Sequence, residues 1–139
     1  METYNIQCHC GKIKANFRRD RDLPLTLWDC NCSDCRMRRN LHFMIPASDF
    51  TLEGSKKLFE EQTILYQWGT KTAVRRFCST CGILPFYIPR SNPDGYAVTY
   101  HCVDWGEYGS PKTEIKYYDG QNWEKSHAET GIAKETAEN

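Results

Sequence analysis

The sequence predicts a mostly antiparallel β protein forming one domain. Three observations lead there. Short runs alternate apolar and polar residues with a period of two. Turn-forming Gly, Asn, Asp and Pro separate those runs. No apolar pattern of helical period persists beyond a turn or two. A chain of 139 residues also suits a single core.

Taken in order, "KIKANF" sets Ile13, Ala15 and Phe17 against Lys12, Lys14 and Asn16. "LPLTLW" places Leu23, Leu25 and Leu27 on one face. "LHFMI", "TILYQW", "AVRRF", "ILPFYI", "YAVTYHCV" and "TEIKYY" continue with β-branched and aromatic residues. The breaks between them are "EGS", "WGTKT", "SNPDG" and "YDGQN". Brief helix is expected at "PASDF", with Ser48 as cap, and after Cys35 in "RMRRN". From Ser126 the chain turns polar and loses its aromatics, which predicts a β domain over 1–125 and a frayed tail over 126–139.

Lys and Arg total 18 and so do Asp and Glu, so no net charge favours nucleic acid or an anionic membrane surface. No apolar run approaches the roughly 20 residues of a spanning helix. "METYNIQCHC" has neither the basic nor the apolar region of a secretion signal. The expected address is the cytosol, with the nucleus as the alternative.

In a reducing compartment, clustered cysteines are metal ligands or catalytic groups more often than disulfides. Seven of the eight cysteines fall in "CHC" (Cys8, Cys10), "CNCSDC" (Cys30, Cys32, Cys35) and "CSTC" (Cys78, Cys81); Cys102 stands alone. Zinc takes four tetrahedral ligands, so two distant pairs make one closed site. Cys8 and Cys10 pair naturally with Cys78 and Cys81, because Gly11 and Gly82 follow the second cysteine of each pair and let the chain curl around a metal. That leaves a triple. Three thiolates give zinc a net negative charge, which disfavours zinc-hydroxide hydrolysis and suits capture of an added thiol as thiolate. Arg36, Arg38 and Arg39 follow at once; Arg36 and Arg39 are the candidates to grip a ligand's carboxylates. Alternatives stay open. Cys102, His101 or His42 would close the triple into a structural site, and Cys32 with Cys35 would make a redox pair. His9 should point away from the metal beside it, and His127 falls in the expected tail.

The succession "CHCGKIKANF", "CNCSDCR", "RRFCSTCGILPF" resembles the glutathione-dependent formaldehyde-activating enzymes, a family that includes the centromere protein V domain, over roughly residues 4–105. The resemblance implies a Mss4-like β-tent of antiparallel sheets. It implies structural zinc on Cys8, Cys10, Cys78 and Cys81, and catalytic zinc on Cys30, Cys32 and Cys35 with glutathione's thiol as the added ligand. The implied activity is that of a carbon–sulfur lyase, reversibly combining glutathione with formaldehyde to S-hydroxymethylglutathione. A non-catalytic, zinc-stabilised module that engages a protein or chromatin partner is the competing expectation.

Overall fold

The computed structural model describes residues 1–137. Its strands are β1 (Glu2–Gln7), β2 (Lys14–Arg19), β3 (Leu25–Cys30), β4 (His42–Pro46), β5 (Phe50–Leu52), β6 (Thr63–Tyr66), β7 (Val74–Cys78), β8 (Phe86–Ile88), β9 (Gly95–Thr99), β10 (Val103–Asp104) and β11 (Thr113–Tyr118). Among the described residues, two short helices interrupt them, α1 (Ser33–Arg38) and α2 (Lys56–Glu61), and a third, α3 (Trp123–Thr130), follows β11. The fold is mainly β, as the alternation predicts and as a β-tent requires. Among the described residues, no helix is long and apolar enough to cross a membrane.

The strands form a four-stranded sheet, β10-β1-β2-β5, and a seven-stranded sheet, β11-β3-β4-β9-β8-β7-β6. All pairings are antiparallel except β11 on β3, which runs parallel with Thr113 opposite Leu25 and Tyr118 opposite Cys30. In β1 and β2, Tyr4 faces Phe17 and Ile6 faces Ala15, and all four are buried. The large sheet is covered on both faces. Leu25, Leu27, Phe43, Ile45, Phe86 and Val98 point toward the small sheet. Their neighbours Trp28, Met44, Tyr87 and Ala97 pack in a second core with Tyr118 and Ile132. Period-two geometry therefore explains why "HFMI" is buried at every position. Phe17 and Phe43 meet edge-on at 5.4 Å across the two sheets, with Trp105 edge-on to Phe17 and tilted against Phe43.

Several expectations need correcting. Leu23 is exposed in the turn before β3, so the buried face begins at Leu25. The "PASDF" helix is a single 3-10 turn, Ala47–Asp49, with Ser48 inside it rather than capping. The helix near Cys35 begins earlier, where Cys32 Sγ accepts from Cys35 N–H at 3.3 Å. α2 has no counterpart among the expected elements; Ser55 Oγ caps it by accepting from Leu58 N–H at 3.1 Å. The expected tail is docked structure: α3 spans its start, and Ile132 and Thr136 are buried. Its anchors are mostly polar, so apolar patterning could not find it. Residues 138–139 of that tail lie outside the described residues.

Candidate metal centres

Cys8 and Cys10 lie in the turn that leaves β1; Cys78 ends β7 and Cys81 lies in the turn beyond. All four sulfurs lie within 4.8 Å of one another, with Cys10 Sγ 3.6 Å from both Cys8 Sγ and Cys78 Sγ. Gly11 (φ 80) and Gly82 (φ 77) take the left-handed conformation, and each donates its N–H to the carbonyl of the first cysteine of its pair. The two halves are thus built alike. It is Ile13 N–H, at 3.3 Å, that points to Cys8 Sγ. Backbone N–H groups, that of Cys10 first, pull the Cys81 thiol down to about 6.

Cys30 ends β3, Cys32 caps α1, and Cys35 sits in its first turn; these three sulfurs also lie within 4.8 Å of one another. Cys35 is buried, and Cys30 and Cys32 are half-buried. Their ionisations oppose one another. Hydrogen bonds from Cys30 and then Cys35 push the Cys32 thiol down. The hydrogen bond to Cys32 raises Cys30 to about 11, and hydrogen bonds to Cys30 and Cys32, with burial, raise Cys35. Three thiolates so close need a cation between them, which is what a soft divalent metal supplies. The donor set therefore fits a metal at both clusters. Gly120 presses its backbone onto the triple, since a Cβ there would meet Cys32 Cβ at 2.7 Å and Cys30 Sγ at 2.9 Å.

The triple opens into a cavity of about 190 Å³ whose walls include Trp28, Trp68, Tyr87, Trp123 and Ile132. His42 also faces it. Burial pushes that imidazole down to about 4, its Nδ1 has no partner, and its Nε2 lies 3.4 Å from the Tyr87 hydroxyl. His42 is not within ligand reach of all three sulfurs. Cys102 and His101 line a different groove, of about 880 Å³, beside Cys8 and His9. Burial first, then Cys8 and Cys81, raise the Cys102 thiol to about 11. Although larger, that groove holds no set of three clustered ligands among the described residues beyond the four-cysteine site, so the chemistry points to the smaller cavity.

Of the arginines proposed from sequence, Arg36 and Arg39 are exposed and neither lines the cavity of the triple; Arg39 (φ 50) lines the larger groove. Arg38 Nε bonds Asp34 Oδ1 at 2.6 Å and its guanidinium stacks on Phe77 at 4.0 Å. Sequence reasoning missed Arg75. It lines the cavity with its side chain 9% exposed, and its Nε lies 2.6 Å from Asp34 Oδ2, close as an ion pair but not aligned as a hydrogen bond. Its guanidinium also lies 4.9 Å from the centre of the Tyr87 ring. The signal was its parity in "AVRRF": Arg75 shares a face with the inward Ala73 and Phe77.

The model of the family described as "Glutathione-dependent formaldehyde-activating enzyme" matches residues 3–119. A crystal structure of a Rhodobacter sphaeroides protein, from a structural genomics programme, is similar at 29% identity and a TM-score of 0.61. The match covers 79% of this chain and 99% of that one. Seven cysteines gathered into a four and a three, on a mainly β frame matched over most of its length, place the chain in the glutathione-dependent formaldehyde-activating enzyme family.

Proposed function

We propose that the protein is a zinc-dependent carbon–sulfur lyase whose Cys30, Cys32 and Cys35 hold Zn2+ with one position left for a thiol such as glutathione. That thiol adds reversibly to formaldehyde or a related small carbonyl. One observation carries this reading: three clustered sulfurs face a cavity, and among the described residues no fourth His, Cys, Asp or Glu completes their set. Family membership supports the choice of chemistry. When bound, zinc supplies the positive charge that keeps an incoming thiol deprotonated at neutral pH.

The remaining work falls to the chain. Arg75 brings a buried positive charge to a cavity that already holds three sulfurs, and Asp34, in the first turn of α1 between Cys32 and Cys35, anchors it. His42 stays neutral at pH 7 and adds no charge of its own. Trp28 and Tyr87, both buried, wall the cavity and exclude water from it. In the addition, the thiol loses its proton, an S–C bond forms as the C=O π pair moves to oxygen, and that oxygen gains a proton from solvent. The reverse step breaks the same bond. Arg36 and Arg39 would meet only ligand carboxylates that extend beyond the cavity. Cys8, Cys10, Cys78 and Cys81 would hold a structural zinc, and a cytosolic thiol pool would supply the substrate.

Exchange NMR on glutathione, formaldehyde and the protein tests this reading. Adduct formation should speed up with wild type and fall to the buffer rate with Cys32→Ser. A buffer rate with wild type as well would leave only a metal-stabilised scaffold.

A further inference from the structure

We infer that residues 120–136 form a docked lid that narrows the cavity over the cysteine triple and selects compact thiols over a tripeptide thiol. This inference rests on the thiol-binding reading above and names its substrate class more closely. The segment begins where the family match ends, at residue 119, so it lies outside the matched frame.

Three contacts make it a wall. Gly120 lies against Cys30 and Cys32 with no room for a Cβ. Trp123 and Ile132 line the cavity together with Tyr87 and Arg75. Arg90 stacks on Trp123 at 3.7 Å, and His127 stacks on the same ring at 4.7 Å. Three more hold the far end down. Trp28 Nε1 donates to Glu135 Oε2 at 2.8 Å. Asn92, fully buried, donates to Ile132 O and Thr136 Oγ1, each at 2.9 Å. Thr136 Oγ1 donates to Asp94 Oδ1 at 2.6 Å, over a Gly95 whose Cβ would clash with it. Buried polar anchors of this kind specify one docked position, because leaving any of them unpaired is costly.

Size then decides selectivity. A cavity of about 190 Å³ falls below the roughly 300 Å³ at which sites begin to enclose drug-sized ligands. A mercaptan of a few carbons fits whole. A tripeptide can insert only its thiol arm and must leave both carboxylate ends outside the lid.

The test uses the full chain loaded with Co2+, whose thiolate charge-transfer absorption reports each added sulfur. 2-Mercaptoethanol, cysteine and glutathione are titrated into wild type, Trp123→Ala and Ile132→Ala, each checked for a native near-UV circular dichroism spectrum. Wild type should bind the compact thiols about tenfold more tightly than glutathione. Each variant should tighten glutathione by about fivefold while moving 2-mercaptoethanol less than about twofold. Equal affinity of wild type for glutathione and 2-mercaptoethanol, or a ratio unmoved in both variants, overturns the lid. A spectrum that no thiol changes would instead overturn the thiol-binding reading. The size filter is then decided by alkylation of Cys30, Cys32 and Cys35, followed by mass spectrometry. A bulky maleimide lagging iodoacetamide in wild type but not in the variants supports the filter, and the same lag in all three overturns it.

Discussion

Gly120 and Asp34 are single residues on which the geometry of the triple depends. A methyl group at Gly120 would press on Cys32 Cβ and Cys30 Sγ, atoms tied to the end of β3 and the start of α1. Overpacking of this kind costs about 1–3 kcal/mol. Gly120→Ala should therefore lower the urea midpoint and deplete metal at the triple while sparing the four-cysteine site, as native mass spectrometry would show; unchanged metal content would mean the segment yields freely. Asp34 serves two arginines unequally. Arg75 and Asp34 are 9% and 8% exposed, whereas Arg38 is 35% exposed at the i,i+4 position. Removing one partner of a buried pair strands the other charge, so Asp34→Ala should cost about 3–5 kcal/mol. Arg38→Ala removes a partly solvated pair and should cost below about 1 kcal/mol. Urea unfolding of both variants gives the ratio, and equal losses would contradict the burial of Arg75.

Among the elements, the docked C-terminal segment carries a pH dependence of its own. Burial raises the Glu135 carboxyl to about 7 from an ordinary 4.5, against the opposing pulls of the Trp28 N–H and Lys116. Between those two values the folded segment keeps a proton that the unfolded chain has released. Its docking is therefore strongest below about 4.5, weakens as pH rises toward about 7, and is flat beyond. Tryptic cleavage at Lys134 should quicken across that window in wild type and stay level in Glu135→Gln, which keeps an acceptor for Trp28 without the titration; parallel profiles would remove Glu135 as the cause. The same segment marks the limit of what the sequence discloses. β2, β4 and β9 are legible because their apolar and aromatic residues fall on faces that are buried in the structure. Both cysteine groupings are legible because spacing and the paired glycines separate four ligands from three. "SHAETGIAKETAEN" offers one large apolar side chain, Ile132, and docks through Asn92, Asp94 and Trp28, partners remote in sequence. Arg75 was hidden for a related reason: a charged residue on an inward face becomes meaningful only once its partner, Asp34, is found across the fold.

In the whole molecule, the two cysteine clusters stand in different relation to the sheets. Cys8 and Cys10 leave β1 of the small sheet and Cys78 ends β7 of the large one, so a metal there clamps the two sheets together. Cys30, Cys32 and Cys35 all belong to β3, α1 and the loop between them, so a metal there ties one rim of the large sheet to itself. Structural zinc contributes on the order of 10–16 kcal/mol in small domains, as much as the whole stability of about 5–15 kcal/mol. The aromatic contacts of Phe17, Phe43 and Trp105 cannot replace that clamp, because each such pair adds only about 0.5–1.5 kcal/mol beyond burial. Cys81→Ser should accordingly lose the cooperative melt and the near-UV signal of the buried Trp28, whereas Cys32→Ser should keep both and lose only thiol binding. A strong chelator added to wild type should reproduce the Cys81→Ser spectrum, not that of Cys32→Ser. If Cys81→Ser instead melts cooperatively within about 2 kcal/mol of wild type, the sheets are held by packing alone, and the four-cysteine cluster needs another purpose.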